Sequence, residues 1–320
     1  MENNNGPIMV SVCMTSYYHE PYIAQSIESV LSQKTDFNYE IVISDDCSKD
    51  RTQEIIREYA EKYPCIKYKF NEENIGLTKN VFQAKTMAEG KYVVPLSGDD
   101  YWIDDRKLQK QVEFLEKHPE YIGVATRIEM RQGDSTEADF LEPSENACGR
   151  TFRLKDFLGG INFPMNGFLM RNPLKENYDL FSLMPKLSPY IDDLTDCILT
   201  LKLGDIYILK DATVAYRRRI EETGKHNFNS LNKGLDKLKK QIELLNNLYL
   251  EFGREMDLFN RYKLALGPEI FKHYRKSTRN EFKNIFDSIP EEYRKRGIIF
   301  HSFLYIVPKT FEVVMRKFRR

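Results

Sequence analysis

Two pairs of neighbouring carboxylates, Asp45-Asp46 and Asp99-Asp100, are the residues of this chain best suited by type and spacing to chemistry. Adjacent carboxylates repel and cost stability unless a cation is held there, and Mg²⁺ or Mn²⁺ bound by one or two carboxylates plus diphosphate oxygens is the usual solution. Asp99-Asp100 have that form. Each pair lies in a short polar cluster, Asp45-Asp46-Cys47-Ser48 and Ser97-Gly98-Asp99-Asp100, and two more clusters, Thr15-Ser16-Tyr17 and Asn71 to Gly76, share the same character. Any one of the four reads equally as a turn or a helix cap. All four together read as one acidic site. The chain has no Gly-x-Gly-x-x-Gly after its first apolar run and no Gly-x-x-x-x-Gly-Lys, so neither a dinucleotide fingerprint nor a P-loop accounts for a nucleotide there.

The elements that must position these clusters alternate in type. IMVSVCM (8–14) is a β-branched apolar run, and from Pro21 the residues Ile23, Ile27, Val30 and Leu31 recur at helical spacing. YEIVIS (39–44) repeats the strand signal; Ser48 to Arg51 then cap a helix bearing Ile55, Ile56, Tyr59 and Ala60, which Pro64 stops. IKYKF (66–70), a helix from Thr78 to Glu89 ended by Gly90, and KYVVPL (91–96) complete the series. Strands alternating with helices predict an α/β fold, a mostly parallel sheet with helices on both faces. Ligands of such sheets bind beyond the carboxyl ends of the strands, where the loops diverge. Each polar cluster follows a strand.

With 320 residues, 41% apolar and 12% aromatic, the chain suffices for a packed core in one large or two small domains. Its charged residues, 30% of the total, are spread in both signs, and it lacks an apolar run of about 18 residues, which argues against disorder and against a spanning helix. The net charge of zero hides an asymmetry: residues 1–224 hold 27 Lys+Arg against 37 Asp+Glu, and residues 225–320 hold 21 against 11. Two functional regions follow, the first too acidic to track a nucleic-acid backbone. MENNNGPIMV has no basic segment leading into an apolar stretch. Five scattered cysteines (Cys13, Cys47, Cys65, Cys148, Cys197), without a CxxC pair, argue against a disulfide framework or structural zinc. The expected compartment is the cytoplasm.

In order along the chain, SVCMTSYYHEPYIAQSIESVLSQ, YEIVISDDCSKDRTQEI, NEENIGLTKN and PLSGDDYW resemble the nucleotide-sugar-binding half of family 2 glycosyltransferases, which have the Rossmann-like GT-A fold. IDDLTDCILTLKLGDIYILKDATVAYRRR (191–219) resembles that family's Glu-Asp segment, Gly-containing turn, strand and closing Tyr-Arg. The resemblance covers residues 8 to 230 and implies an inverting, hexosyl-type transferase. The donor it implies is a nucleotide-diphosphate sugar, UDP-linked by preference, and the acceptor it implies is a glycan or a lipid-linked hydroxyl in surface polysaccharide synthesis. By position it implies that Thr15 and Asp45 hold the nucleoside with Asp46 as neighbour, that Asn74 and Gly76 lie along the nucleotide, and that Asp99 and Asp100 bind it with Mn²⁺ or Mg²⁺, Asp100 most directly; Tyr17, in the first cluster, is counted with them among the nucleotide-sugar-binding residues. Many members carry an acid two positions before Asp99, where this chain has Ser97.

Inverting transfer needs a separate carboxylate to take the acceptor proton while the leaving diphosphate is neutralised. The family pattern implies Asp193 for that role, with Asp192 where Glu usually stands; a like-charged neighbour raises the pKa of one member towards a useful range. The same two residues precede Leu194, Ile198, Leu199 and Leu201 at helical spacing and suit a helix N-terminus equally well. His226 occupies the place of a histidine that in some members meets the metal or diphosphate; a loop histidine is otherwise a solvated residue. Arg217, Arg218 and Arg219 read as a diphosphate clamp or as a solvent face. Tyr101 and Trp102 read as an acceptor platform or as packing beneath the loop.

Residues 1–228 are therefore expected to form the catalytic domain and 229–320 a helical, basic extension, with Leu231, Leu235, Leu238, Ile242, Leu245 and Leu248 as an apolar stripe. In residues 291–320 eight Lys/Arg face three Asp/Glu around the apolar run 298–307. This suits a helix lying on an anionic membrane surface at the inner face of the plasma membrane, or one docked on its own domain or in a homodimer. Two rival functions share the pattern. A nucleotidyltransferase that makes nucleotide sugars should show a Gly-rich Arg/Lys loop after the first strand, and TSYYHEP has none; a non-catalytic carbohydrate-binding protein is not separated by motif.

Overall fold

The computed structural model describes residues 6–133, 135–161, 165–190, 192–218, 234–273 and 279–298. Four strands, β1 (Ile8–Ser16), β2 (Asn38–Asp45), β3 (Ile66–Phe70) and β4 (Tyr92–Ser97), pair in parallel in the order β3-β2-β1-β4. Helices α1 (Ile23–Leu31), α2 (Thr52–Lys62) and α3 (Leu77–Thr86) make the crossovers. In β1 the period-2 alternation puts Val10, Val12 and Met14 on one face, in the main apolar cluster with Ile23, Ile27 and Val30 of α1, and turns Ser11 and Cys13 to the other. Both faces are buried, which is why the strand reads as a continuous apolar run. Each fully buried aliphatic side chain contributes at most about 1.5–3 kcal/mol.

Helix α3 ends at Thr86, earlier than its periodicity suggests. Met87 and Ala88 donate to the carbonyls of Ala84 and Lys85, three residues back, which tightens and closes the last turn. Gly90 is required for a different reason than capping: a Cβ there would lie 2.6 Å from Ser11 N and 2.8 Å from Tyr92 O.

The chain then adds β5 (Tyr101–Trp102), α4 (Lys107–Lys117), β6 (Gly123–Gln132), β7 (Phe140–Glu142), β8 (Arg150–Phe152), α5 (Leu154–Leu158), β9 (Phe168–Arg171), α6 (Tyr178–Phe181), α7 (Met184–Leu187), α8 (Asp192–Leu203) and β10 (Ile206–Arg218). The sheet order is β3-β2-β1-β4-β9-β6-β10-β5, with β7 on β6 and β8 on β10. β6 and β10 run with the first four strands, whereas β5, β7, β8 and β9 pair antiparallel. The antiparallel strands have two to four residues each, too few to show a period in sequence.

Contacts divide the chain into two units. One gathers the described residues up to Leu154 and those from 165 to 218; the other gathers Lys155–Ile161 with the described residues from 234 onward. In the second unit α9 (Gly234–Phe252), α10 (Phe259–His273), α11 (Arg279–Asp287) and α12 (Glu291–Lys295) follow one another. Leu235, Leu238, Ile242, Leu245 and Leu248 are buried as one stripe, while Leu231 lies outside the described residues. The short 155–161 segment joins this unit through Phe157, whose ring lies 3.5 Å from the Arg261 guanidinium, and through Ile161 O, which accepts from Arg261 at 2.9 Å.

Residues 291–298, read either as the start of a membrane-surface tail or as a segment docked on its own domain, are part of this helical core. Tyr293 and Ile298 are buried, and the Tyr293 hydroxyl accepts from Leu258 N at 3.2 Å. The rest of the basic tail, 299–320, lies outside the described residues. Among the described residues no helix is long and apolar enough to cross a membrane.

Candidate active site

The ends of β1, β2, β3 and β4 sit in register, with Ser16 beside Asp45, Asp45 beside Phe70 and Thr15 beside Ser97. Their following loops therefore start from one edge of the sheet, and Asp46 N→Ser16 O and Gly98 N→Thr15 O bonds carry the pairing past the strand ends. Tyr18 (φ +54°) and Cys47 (φ +67°) take the left-handed conformation that is costly for non-glycine residues and that concentrates at functional loops. Ser48 Oγ, accepting from Tyr18 N at 2.8 Å, joins those two turns.

Asp45 and Asp46 do different work. Asp45 is wholly buried: Oδ2 accepts from Ser16 Oγ (2.7 Å) and Ser48 Oγ (2.6 Å), and Oδ1 accepts from Ser48 N (2.9 Å) and Gln53 Nε2 (2.7 Å). Four donors met by two oxygens make it the brace of the first two loops. Asp46 instead holds the third loop, accepting from Ile75 N at 2.7 Å and Gly76 N at 3.1 Å. Gly76 (φ +88°) opens α3 from the left-handed region, and Asn74 Oδ1 accepts from its N–H at 3.1 Å. Tyr17 stacks edge-on to Tyr18 at 4.7 Å and hydrogen-bonds Asn74. Asn71, the first residue of the loop's polar cluster, and Asn80 and Gln83, neither of them singled out by sequence, support this loop: Gln83 Nε2 donates to Asn71 Oδ1 and to Ser44 Oγ, each at 2.7 Å.

Burial raises the Asp46 carboxyl above the ordinary value of 3.8, against the pull of the Ile75 and Gly76 amides. A carboxyl whose pKa is raised on folding contributes stability at low pH and loses it as pH rises through the folded value. The stability difference between wild type and Asp46→Asn is therefore expected to shift against the wild type on going from about pH 4 to about pH 7. Urea unfolding across that range measures it; a difference independent of pH would mean that Asp46 titrates normally.

Asp99 and Asp100 follow β4 and are held by residues far away in sequence. Asp99 is half-buried, accepts from Ser97 Oγ and lies 3.9 Å from His19 Nε2. Ser97, standing where an acid was expected from the family pattern, thus supports the acid two positions on. Asp100 is buried, its Oδ1 accepting from Arg217 N (2.9 Å) and its Oδ2 from Asn166 Nδ2 (2.5 Å). The Arg217 guanidinium, buried over the rings of Tyr22 (4.6 Å) and Tyr101 (5.1 Å), donates to the Asp99 carbonyl and to Gln25. Gly98 has no room for a side chain: a Cβ would lie 2.8 Å from both His19 Nδ1 and Ile23 Cδ1. Gly98→Ala is expected to cost about 1–3 kcal/mol by forcing this loop off its support, read as a lower melting temperature; an unchanged one would show that His19 and Ile23 give way freely.

Asp192 and Asp193 open α8, and Asp193 is exposed. The segment just before the helix reaches the third loop, since a Cβ on Gly76 would meet Pro189 O at 3.6 Å. Trp102 is buried beneath its loop with its ring 5.1 Å from Lys107 Nζ. His226 and Arg219 lie outside the described residues. Among the described residues no three His, Cys, Asp or Glu side chains cluster as a metal cage; the paired carboxylates Asp99 and Asp100 are hard oxygen donors of the kind that hold Mg²⁺ or Mn²⁺ together with diphosphate oxygens. The donor set fits that ion.

An α/β sheet that gathers paired acids beyond its parallel strands defines a GT-A type fold. The solved structure of Staphylococcus aureus TarS 1–349 in complex with UDP-GlcNAc shares it, with a TM-score of 0.60 over 89% of this chain and 83% of that one at 19% identity. The profile for Glycosyl transferase family 2 matches residues 11–177, and the chain belongs to that family. Putative glycosyltransferase EpsE of Bacillus subtilis is 42% identical over 124 residues, 38% of this chain and 44% of that one. The Escherichia coli UDP-Glc:alpha-D-GlcNAc-diphosphoundecaprenol beta-1,3-glucosyltransferase WfaP is 36% identical over 109 residues, 34% of this chain and 41% of that one. A Mycobacterium tuberculosis relative, the uncharacterized protein Rv1520, is 40% identical over 112 residues, 35% of this chain and 32% of its own length. Each alignment thus spans less than half of the relative.

Proposed function

We propose that this chain is an inverting hexosyltransferase that moves a sugar from a nucleotide-diphosphate donor, with UDP as the nucleotide, to a hydroxyl of a glycan or lipid-linked acceptor in surface polysaccharide synthesis. The observation that carries this reading is the Asp46 bridge: one carboxylate from the β2 loop closes the Asn74–Gly76 loop by two backbone bonds, beside Thr15 and Tyr17 and at the same sheet edge as Asp99-Asp100. Thr15, Tyr17, Asp46, Asn74 and Gly76 form the nucleoside cradle, with Asp45 bracing it from within. Relatives named for teichuronic acid biosynthesis (TuaG, 39% identical over 107 residues) and for a UDP-glucose donor with a diphosphoundecaprenol acceptor (WfaP) support the substrate class.

Asp99 and Asp100 would hold Mn²⁺ or Mg²⁺. When bound, the ion supplies positive charge where the leaving diphosphate becomes more negative. The chain's own share is the rest: Arg217 fixes the Asp99 carbonyl, Ser97 orients the Asp99 carboxylate, and Asp193, at the amino end of α8, takes the proton of the acceptor hydroxyl as it attacks. Asp192 assists, and His226 is a further candidate contact to the diphosphate. The basic stretch beyond 298 supports a place at the inner face of the plasma membrane.

A panel of UDP-glucose, UDP-galactose and UDP-GlcNAc, each with Mn²⁺ and with EDTA, tests the reading through release of UDP without acceptor. Slow metal-dependent release from one sugar is expected. Consumption that requires pyrophosphate would mark a nucleotidyltransferase, which family membership does not favour, and binding without any release would mark a carbohydrate-binding protein.

A further inference from the structure

The helix that carries Asp193 is tied to the helix that follows Gly76 by a buried ion pair that no motif announces. Lys85, near the end of α3, donates from Nζ to both carboxylate oxygens of Asp196 in α8, each at 2.6 Å. The two side chains are 2% and 4% exposed, and they are 111 residues apart in sequence. Lys85 Nζ also lies 5.3 Å from the Phe181 ring. The nearby Cys13 thiol is pushed up to about 12 by burial and so adds no charge of its own at neutral pH.

A buried pair of this kind is a poor source of net stability, because removing two charges from water offsets most of their attraction. What it enforces is arrangement. A slide of one helix past the other that parted Lys85 from Asp196 would leave two charges without water or partner, whereas an apolar contact tolerates such a slide at small cost. Asp196 lies three residues from Asp193, about 4.5 Å along the helix axis. At the other end of α3, Gly76 N is held by Asp46. A continuous rigid path therefore runs from Asp46 through Gly76, α3, Lys85 and Asp196 to the first turn of α8.

We propose that Lys85 and Asp196 are positioning residues that set Asp193 against the donor cradle, so that the pair governs turnover rather than donor affinity. This rests on the reading of Asp193 as the general base. A misplacement of about 1 Å in such a group costs on the order of 100-fold in rate, while the cradle, built by the first three loops, is untouched.

The test uses the full chain and the UDP-sugar that releases UDP fastest in the panel. Lys85→Met/Asp196→Leu replaces the pair by apolar side chains of similar size and is expected to keep the melting temperature near that of the wild type. Its KM for donor should stay within about 2-fold and its kcat fall about 10- to 100-fold. Wild-type kcat in this variant would overturn the proposal and leave the pair a structural contact. Should the apolar pair not fold, Asp196→Glu keeps the charge while lengthening the tether, and the same split of kcat from KM is expected; wild-type kcat there is equally fatal. Asp193→Asn in the same assay separates the two levels. If it retains full turnover, the base assignment and the positioning role fall together; if it loses turnover while the pair variants keep theirs, only the positioning role falls.

Discussion

Asp193→Asn is expected to lower sugar transfer by about 100-fold or more, the scale of losing a positioned general base, with donor KM and melting temperature nearly unchanged. The amide keeps the shape of the side chain but takes no proton from an attacking hydroxyl, so the loss falls on kcat. Its cost to folding is small because Asp193 is exposed in the first turn of α8, where a carboxylate contributes about 0.3–1 kcal/mol through the helix dipole and Asn is itself well tolerated near a helix start. Steady-state kinetics and thermal unfolding on one preparation separate the two roles. A variant that turns over normally but melts earlier would show that Asp193 only caps its helix, and Asp192→Asn, expected to have the smaller kinetic effect, is the internal control.

Asp100→Ala should produce two losses at once. Without its carboxylate, the Arg217 amide and the Asn166 side-chain amide lose their buried acceptor, at about 1–3 kcal/mol for the buried Arg217 N–H left unmet and less for the part-buried Asn166 amide. Metal-supported UDP affinity should also fall at least about tenfold, or about 1.4 kcal/mol, because the diphosphate then meets an acidic site with less to hold its cation. Asp99→Ala distinguishes the two effects: Asp99 is half-buried and its carboxylate accepts from Ser97, so it should lose the metal effect with a smaller drop in melting temperature. Calorimetry with UDP, with Mn²⁺ and with EDTA, gives the affinities. Wild-type UDP affinity in Asp100→Ala, or a wild type indifferent to EDTA, removes the ion from the reading.

Much of the first unit was legible in its sequence. The runs at 8–14, 39–44, 66–70 and 91–96 are strands, the spacing of Ile23, Ile27 and Val30 is a buried helix face, and the polar clusters fall at the carboxyl ends of the strands. These are consequences of side-chain period and turn chemistry, which neighbours within about four residues set. The stripe from Leu235 to Leu248 was legible for the same reason. The short antiparallel strands were not, and neither was the end of α3, which the bonds of Met87 and Ala88 to the carbonyls of Ala84 and Lys85 close four residues before Gly90.

The chain by itself thus determined its alternating strands and helices and which loops hold the acids. What those acids do was decided by contacts between segments distant in sequence. Asp45 and Asp46 are adjacent and identical in type, yet the first is saturated by Ser16, Ser48 and Gln53 while the second closes the loop at Ile75 and Gly76. Asp100 meets Arg217 across 117 residues, Lys85 meets Asp196 across 111, and residues 155–161 leave the sheet unit to pack with helices that begin some eighty positions later. The physical reason is that a carboxylate's role depends on which donors surround it and how much water it keeps. Both are properties of the packed chain, because local sequence specifies neither the distant donor nor the depth of burial.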